Sequence, residues 1–379
     1  MYLLEHDAKA LLAERGVPVP HGVLIADAAS IPELPAGPWV VKGQIAAGGR
    51  GKAGLVQRAA TAAQVSTLAG SMLGRVVKEK RVASVRVEQQ VSAAEEMYFG
   101  LLLDAAAGGV RVIVSGRGGM DVEALPRDEI RSETVLPQQE AIVACVDRLA
   151  AGMAGHKAAA LRAAAPLLAT SFLNCEATLV EINPLFVKQD GTWLAGDAKI
   201  VTDDNALERQ PGLRTLLAAH TDIYPEVALK LEHGFDYVVV DPEGEVGLLT
   251  TGAGLSMMLI DELRAAGLRP FNFLDIRTGG LRGQTTRLVT VLQWIAAAPR
   301  VRIVLVNMFG GITDMGEFSR LLVRALQETP ALNVPVVVRL AGNGLAVARD
   351  VLVAAGIPMH TDLDLAVEDL QRQLAGTAG

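Results

Sequence analysis

Four residues of this 379-residue chain have the types and settings to do chemistry together: Lys42, Glu181, Asn183 and Asp197. Lys42 sits inside the apolar run "WVVKGQ" and directly precedes the glycine-rich, basic stretch "IAAGGRGKAG". A lysine buried in such a strand without an anionic partner would be costly. Glycines let backbone N–H groups approach phosphate oxygens, and Arg50 and Lys52 add positive charge, so the stretch suits a polyphosphate. It is not the familiar phosphate loop of nucleotide-hydrolysing enzymes. That loop needs a Ser or Thr after Gly-Lys to hold Mg2+, and here Ala53 follows Lys52 while Ala46 takes the first glycine position. The competing reading is a mobile surface turn.

If the loop binds phosphate, the metal must be held elsewhere. "LVEINPLF" and "LAGDAKI" read as two strands joined by the turn "KQDG", an antiparallel hairpin. Glu181 and Asn183 alternate with the apolar Val180, Ile182 and Leu185, so they share one face, and the returning strand offers Asp197. Carboxylate and amide oxygens on neighbouring strands suit Mg2+, which keeps waters and accepts substrate phosphates. An ordinary solvated sheet face has the same pattern. Glu88 and Glu96, beside "SVRVEQQV" and "EMYFG", could accept hydrogen bonds from a base or ribose; alone they are ordinary solvated glutamates.

The elements that must position these residues fall into two styles. From Asp236 onward, "DYVVVD", "EVGLLTTGAG", "FNFLDI", "VRIVLVNMF" and "VPVVVRL" alternate with helical stretches, the helix at 316–328 among them. Strands apolar on both faces and separated by helices predict a parallel sheet covered on both sides. Ligands bind such sheets beyond the strand carboxyl ends. The glycine-rich turns "TTGAG", "RTGG", "FGGIT" and "AGNG" fall there. The first half reads as α+β, with helices around 62–74 and 138–172. The boundary is placed at "LEHGF", giving domains 1–230 and 231–379.

Composition narrows the function classes. Half the residues are hydrophobic, a fifth are charged and the net charge is -7, so there is no broad basic field for nucleic acid and any anion site is local. Two cysteines, Cys145 and Cys175, without metal-site spacing, predict a reduced, cytoplasmic setting. The opening "MYLLEHDAKALLAERGVPVP" reads as an amphipathic helix closed by Gly16 and Pro18 rather than as a signal peptide. No apolar run reaches about 20 residues, so no membrane span is expected.

In order along nearly the whole chain, "DAKALLAERGVPVP", "VVKGQIAAGGRGKAG", "LVEINPL", "GDAKIVTDDNALERQP", "FNFLDI", "LVNMFGGI" and "VPVVVRLAGN" resemble the β subunits of the succinyl-CoA synthetase family, including malate–CoA ligase relatives. The resemblance implies an α/β architecture in which an ATP-grasp module precedes a flavodoxin-like CoA-ligase domain. It implies that Lys42, Gly49, Arg50 and Gly51 hold nucleotide phosphates, and that Glu88, the backbone near Val91 and Glu96 line the base and ribose pocket. Asn183 and Asp197 match the Mg2+ ligands, and Glu181 the glutamate that steers a phosphorylated histidine of a partner α subunit. Gly311 and Ile312, before the helix at 316–328, would aim backbone N–H groups at that phosphohistidine or at the acid. ATP, with GTP as the alternative, would phosphorylate the histidine, the phosphoryl group would pass to a small carboxylic acid, and CoA, bound mainly by the α subunit, would displace it. None of His6, His21, His156, His220, His233 and His360 lies in a glycine-rich turn, so the histidine must come from the partner and the minimal unit is an αβ heterodimer.

Departures from the family pattern cluster at the implied acid site. Thr251 stands where succinate-specific relatives usually carry asparagine, Arg277 and Thr278 enter a turn that is normally almost all glycine, and Thr313-Asp314-Met315-Gly316 replaces a run containing arginine. An acid other than succinate, with Thr251, Arg277 and Thr313 among its contacts, is one reading; drift, with Arg277 facing solvent or the partner, is the other. Two further function classes stay in view: a stand-alone ATP-grasp carboxylate-amine ligase and a non-catalytic regulatory chain.

Overall fold

The structure, a computed structural model, describes residues 1–376 apart from 79, 92–94, 121–128, 222 and 312, with the backbone alone at 226 and 228. The chain divides into two units, Met1–Ile223 and Tyr224–Gly379. The sequence placed the division at Leu231, but the helix Pro225–His233 spans that point and packs on the strand Asp236–Val239 that follows it.

In the first unit, a four-stranded antiparallel sheet runs in the order Gly22–Ile25, Ser84–Gln89, Trp39–Gln44, Val56–Ala59. The helix Ala62–Met72 covers it, started by a reciprocal cap in which Thr61 accepts from the Gln64 N–H and the Gln64 side chain accepts from the Thr61 N–H. Val65, Ala69 and Met72 pack with Val41, Val85 and Val87, all fully buried. The other face of the strand Trp39–Gln44 carries Lys42.

A second antiparallel sheet is built around the long strand Ala177–Val187, which pairs with Glu95–Asp104, Trp193–Ala195 and Ala198–Thr202, and extends through Gly109–Ser115 to Ile130–Val135. The hairpin expected from "LVEINPLF" and "LAGDAKI" is therefore present. Val180, Ile182, Leu185 and Val187 are fully buried, while Glu181 and Asn183 are half-buried on the opposite face. The helical stretch expected over 138–172 is two helices, Gln139–Ala150 and Gly155–Asn174. The chain turns between them at Gly152, whose φ of 79° suits glycine.

In the second unit, Val246–Thr250, Ile303–Gly310, Val336–Gly342 and Met359–His360 form a parallel sheet in chain order. Alternation along the strand Ile303–Gly310 sends Val304, Val306 and Met308 into one core with Leu292, Phe318 and Leu322. It sends Ile303 and Leu305 into the other with Leu259, Leu263 and Leu370. Parallel strands end at a common edge, so the turns at Thr251–Ala253, Gly310–Gly311 and Gly342–Gly344 gather there.

"FNFLDI" departs from the expected pattern. The strand Asn272–Asp275 pairs antiparallel with Asp236–Val239 instead of extending the parallel ladder. It still lies beside Val246–Thr250, because the buried Asn272 side chain does the work of a ladder position. Its Nδ2 donates to the Leu248 carbonyl at 2.9 Å and its Oδ1 accepts from the Leu248 N–H at 2.8 Å. Phe271 N–H to Val246 O and Ile276 N–H to Thr250 O close the seam on either side.

Candidate functional site

The site of the first unit begins with the cluster beneath the glycine-rich turn. Lys42 Nζ lies 2.8 Å from Glu5 Oε1, 2.6 Å from Glu88 Oε1 and 2.8 Å from the Gly196 carbonyl. Lys9 approaches the same three groups, at 2.7 Å from Glu5 Oε1 and 2.8 Å from both Glu88 Oε2 and Gly196 O. Arg86 Nε donates to Glu88 Oε2 at 2.7 Å. Arg50 bridges outward: Nη1 donates to Glu5 Oε2 at 2.6 Å, and Nη2 donates to both oxygens of Asp197 at 2.7 Å. In this cluster Lys9, Lys42, Arg50 and Arg86 face the carboxylates of Glu5, Glu88 and Asp197, a cationic surplus suited to an anionic ligand.

The proton affinities follow from these contacts. Burial works to raise the Glu5 carboxyl, yet Arg50, Lys42 and Lys9 together hold it well below the usual carboxylate range. Glu88 is lowered in the same way, with Lys9 and Lys42 outweighing desolvation. Desolvation lowers the Lys9 amine, whereas at Lys42 the charges of Glu5 and Glu88 overcome desolvation and raise it. Asp197 is pushed up, first by desolvation and then by the Glu5 charge, against the pull of Arg50. Burial takes the Tyr2 phenol up to about 12. Glu5 is therefore held anionic and Lys42 cationic near neutrality, and these two act as fixed charges.

Above the cluster lies a cleft of about 960 Å3, with Gly49, Arg50 and Gly51 on one wall and Glu181, Asn183 and Asp197 on another. The Asn183 backbone N–H donates to the Asp197 carbonyl at 3.2 Å, which sets the two side by side. Asn183 Oδ1 accepts from the Gly119 N–H at 2.7 Å and its Nδ2 donates to Met120 O at 2.8 Å, tying a further segment to the cleft. Glu181 is in register with Lys199, their charged ends 3.7 Å apart, and Lys199 stands over the Tyr2 ring at 5.2 Å from its centre. Among the described residues there is no group of three or more His, Cys, Asp or Glu side chains that could hold a metal ion.

Residues 2–187 match the family model of the ATP-grasp domain, and residues 249–371 match the CoA-ligase model. Over 376 residues the chain is 35% identical to a succinate–CoA ligase [ADP-forming] subunit β of Desulfurococcus amylolyticus, covering 97% of each chain. It is 36% identical to the protein of that name from Chloroflexus aurantiacus over 390 residues, covering 100% of each. The chain belongs to the succinate–CoA ligase β-subunit family. Its class of activity is that of an ADP-forming acid–CoA ligase. The fold of this β subunit is shared by ATP citrate lyase from Methanothrix soehngenii, solved in complex with citrate and coenzyme A. The TM-score is 0.71 at 20% identity over 95% of each chain, a likeness of fold alone.

In this succinate–CoA ligase family member, Lys42, Arg50 and Asp197 join one ion network, and Gly49, Gly51, Glu181 and Asn183 share its cleft. Glu88 is instead buried beneath the cleft in the ion cluster, and neither Val91 nor Glu96 is among the described residues lining it. The Glu96 side chain lies against Gly119. In the second unit of the β subunit, Thr251 follows the strand Val246–Thr250, and Gly311 is exposed at the end of Ile303–Gly310. Thr313 Oγ1 pairs with Thr278 Oγ1 at 2.9 Å. Arg277, at φ 52°, turns to Asp236, its Nη2 2.8 Å from Oδ2. Ile312 lies outside the described residues.

Glu5 and Lys9 were not singled out from sequence. Their one local signal is the spacing of four within the helix Glu5–Ala13, which reads as an ordinary surface ion pair. His6, His156 and His360 are engaged by Arg86, Glu95 and Asp369.

Proposed function

We propose that this β subunit binds Mg2+ and ATP in the first-unit cleft and transfers the terminal phosphoryl group to a histidine carried by a partner α subunit. The phosphoryl group then activates a small carboxylic acid, and CoA displaces it to give the thioester. The observation that carries this reading is Glu5 holding Lys42 and Arg50 together under the same cleft whose wall presents Glu181, Asn183 and Asp197. A nucleotide polyphosphate needs fixed cations that cost no reorganisation when charge moves, and ion-paired Lys42 and Arg50 are held ready for that. The relatives' name, ADP-forming, agrees with ATP as the phosphoryl donor.

The donor set fits Mg2+. Asp197 and Asn183 supply hard oxygen ligands side by side, and Mg2+ completes its shell with waters and substrate phosphates rather than with a full protein cage. Bound there, the metal supplies neutralisation of the polyphosphate charge. Lys42 and Arg50 orient the phosphates, the Gly49–Gly51 backbone allows their close approach, and Glu181 accepts a hydrogen bond from the incoming histidine so that its ring faces the phosphorus. Glu88 acts through Lys42, while Val91 and Glu96 serve the base and ribose.

For the acid, we favour a small carboxylate other than succinate, received at the strand ends of the second unit by Thr251, Thr313 and the backbone of Gly311 and Ile312. The paired hydroxyls of Thr278 and Thr313 support a polar acid. Arg277 takes part by leaving Asp236. A cytoplasmic setting agrees with the free, buried Cys145 and Cys175; among the described residues no helix is long and apolar enough to cross a membrane.

The test is co-expression with the α subunit, followed by labelling with terminally radiolabelled ATP and thioester assays across a panel of acids. The expected result is Mg2+-dependent label on the α histidine and a preferred acid that is not succinate. Absence of label with both ATP and GTP would overturn the mechanism; succinate outranking every other acid would overturn the substrate assignment alone.

A further inference from the structure

Arg50 occupies an unusual position for a phosphate ligand, because both of its terminal nitrogens already donate to carboxylates. Its guanidinium spans two carboxylates of different standing. Glu5 is 1% exposed at its side chain and keeps Lys42 and Lys9 as partners if Arg50 departs. Asp197 is 30% exposed, and among the described residues its ion-pair partner within 4 Å is Arg50. One nitrogen of Arg50 covers both Asp197 oxygens, the atoms that a divalent cation would need. Moving Arg50 toward a ligand therefore leaves Glu5 neutralised and uncovers Asp197 alone.

The surrounding backbone permits such a movement. Arg50 sits in a turn with Gly48, Gly49 and Gly51, and a side chain begun at Gly48 or Gly51 would meet open space. The turn is held by backbone bonds from Ala53 to Gly49 and from Leu55 to Arg50, and by Lys78 Nζ on Gly48 O at 2.8 Å. The Arg50 side chain can thus exchange partners while its own backbone carbonyl stays bonded.

We infer that Arg50 is a built-in counter-ion that pairs with the Asp197 carboxylate and keeps free divalent metal off it until a nucleotide polyphosphate draws the guanidinium away. The inference rests on the nucleotide and metal reading proposed above. In chemical terms one ion pair, Arg50 with Asp197, is exchanged for two, Arg50 with phosphate and Asp197 with the metal, and no charge is left bare. Metal and nucleotide then enter as a coupled pair, and coupling through one shared residue must be reciprocal. Arginine suits the role because it stays charged at any working pH and its planar fork reaches two carboxylates at once.

The experiment measures Mn2+ binding by electron paramagnetic resonance to the β subunit co-purified with its α partner, with and without a non-hydrolysable ATP analogue. In the wild type, Mn2+ alone should bind weakly and tighten at least about tenfold with the analogue, a coupling of ordinary size. Arg50→Gln should bind Mn2+ alone about tenfold more tightly than the wild type and gain less from the analogue. Adding Asp197→Asn to Arg50→Gln should erase the gain, which assigns it to that carboxylate. Should Arg50→Gln not fold, Arg50→Lys, a point charge without the fork, is expected to lie between the two. Mn2+ binding to Arg50→Gln and Arg50→Lys no tighter than to the wild type overturns the counter-ion role and leaves the nucleotide reading standing. Failure of the wild type to bind the analogue under any condition overturns both.

Discussion

Lys42 and Glu5 meet at 2.8 Å although 37 residues separate them, and Glu88 closes on the same ammonium group at 2.6 Å. Both carboxylates are nearly inaccessible, so the ammonium is what keeps two buried negative charges tolerable. Removing one partner of a buried pair typically costs about 3–5 kcal/mol. Lys42→Met should destabilise the chain by about 3 kcal/mol, the low end because Lys9 still serves both glutamates. Urea unfolding reads this directly, and a loss below about 1 kcal/mol would show that the pair is dispensable to the fold.

Glu181 stands on the cleft wall outside the buried cluster, in register with Lys199. Glu181→Gln keeps the shape and removes the charge. Phosphoryl transfer to the α histidine should slow about 100-fold, the scale of losing one positioned electrostatic group. Rapid-quench labelling gives the rate and equilibrium binding gives the nucleotide affinity. A collapse of affinity, with the rate constant unchanged, would assign Glu181 to nucleotide binding instead.

Asn272 replaces a ladder position with its amide, and Leu248 has both its backbone groups committed to it. Asn272→Leu keeps the branched heavy-atom outline and strands a buried N–H and a buried C=O. The expected loss is about 2–3 kcal/mol, read as a fall in the melting temperature of the second unit. The Leu248 amide should also lose its protection from hydrogen exchange.

His6 is half-buried beside Arg86, whose Nη1 donates to His6 Nδ1 at 2.9 Å. Burial first, and then the Arg86 charge, lowers its pKa below the ordinary 6.5. The unfolded chain therefore takes up a proton near pH 6.5 that the folded chain refuses. Stability from this residue is complete above pH 6.5 and declines as the pH falls from there toward the folded pKa. His6→Gln should flatten the stability profile across that window. An NMR titration showing His6 protonating at or above 6.5 would contradict the assignment.

Local pattern reports which face a strand residue occupies. Alternation in "LVEINPLF" put Glu181 and Asn183 on the face opposite a buried row, because side chains along a strand point to opposite sides whatever the strand pairs with. Double-sided apolar strands separated by helices predicted a covered parallel sheet, and the strand Ile303–Gly310 feeds two cores. The same rule misread "FNFLDI", since nothing in its local pattern says that Asn272 spends its amide on a neighbouring strand.

The sequence alone determined the element types, the metal-compatible face and, through its motifs, the family. Tertiary structure decided the electrostatics. A helix with Glu and Lys four residues apart looks like a solvated surface pair; folded against the strand of Lys42 and the Gly196 carbonyl, Glu5 and Lys9 become a buried anchor, Glu5 holding both Lys42 and Arg50. The Arg50 pairing with Asp197 spans 147 residues, and Arg277 turns to Asp236 across 41. Periodicity reports which way a side chain faces. Which charge it faces depends on how distant segments are brought together, and Coulomb energies are set by that distance and by the water excluded from around it.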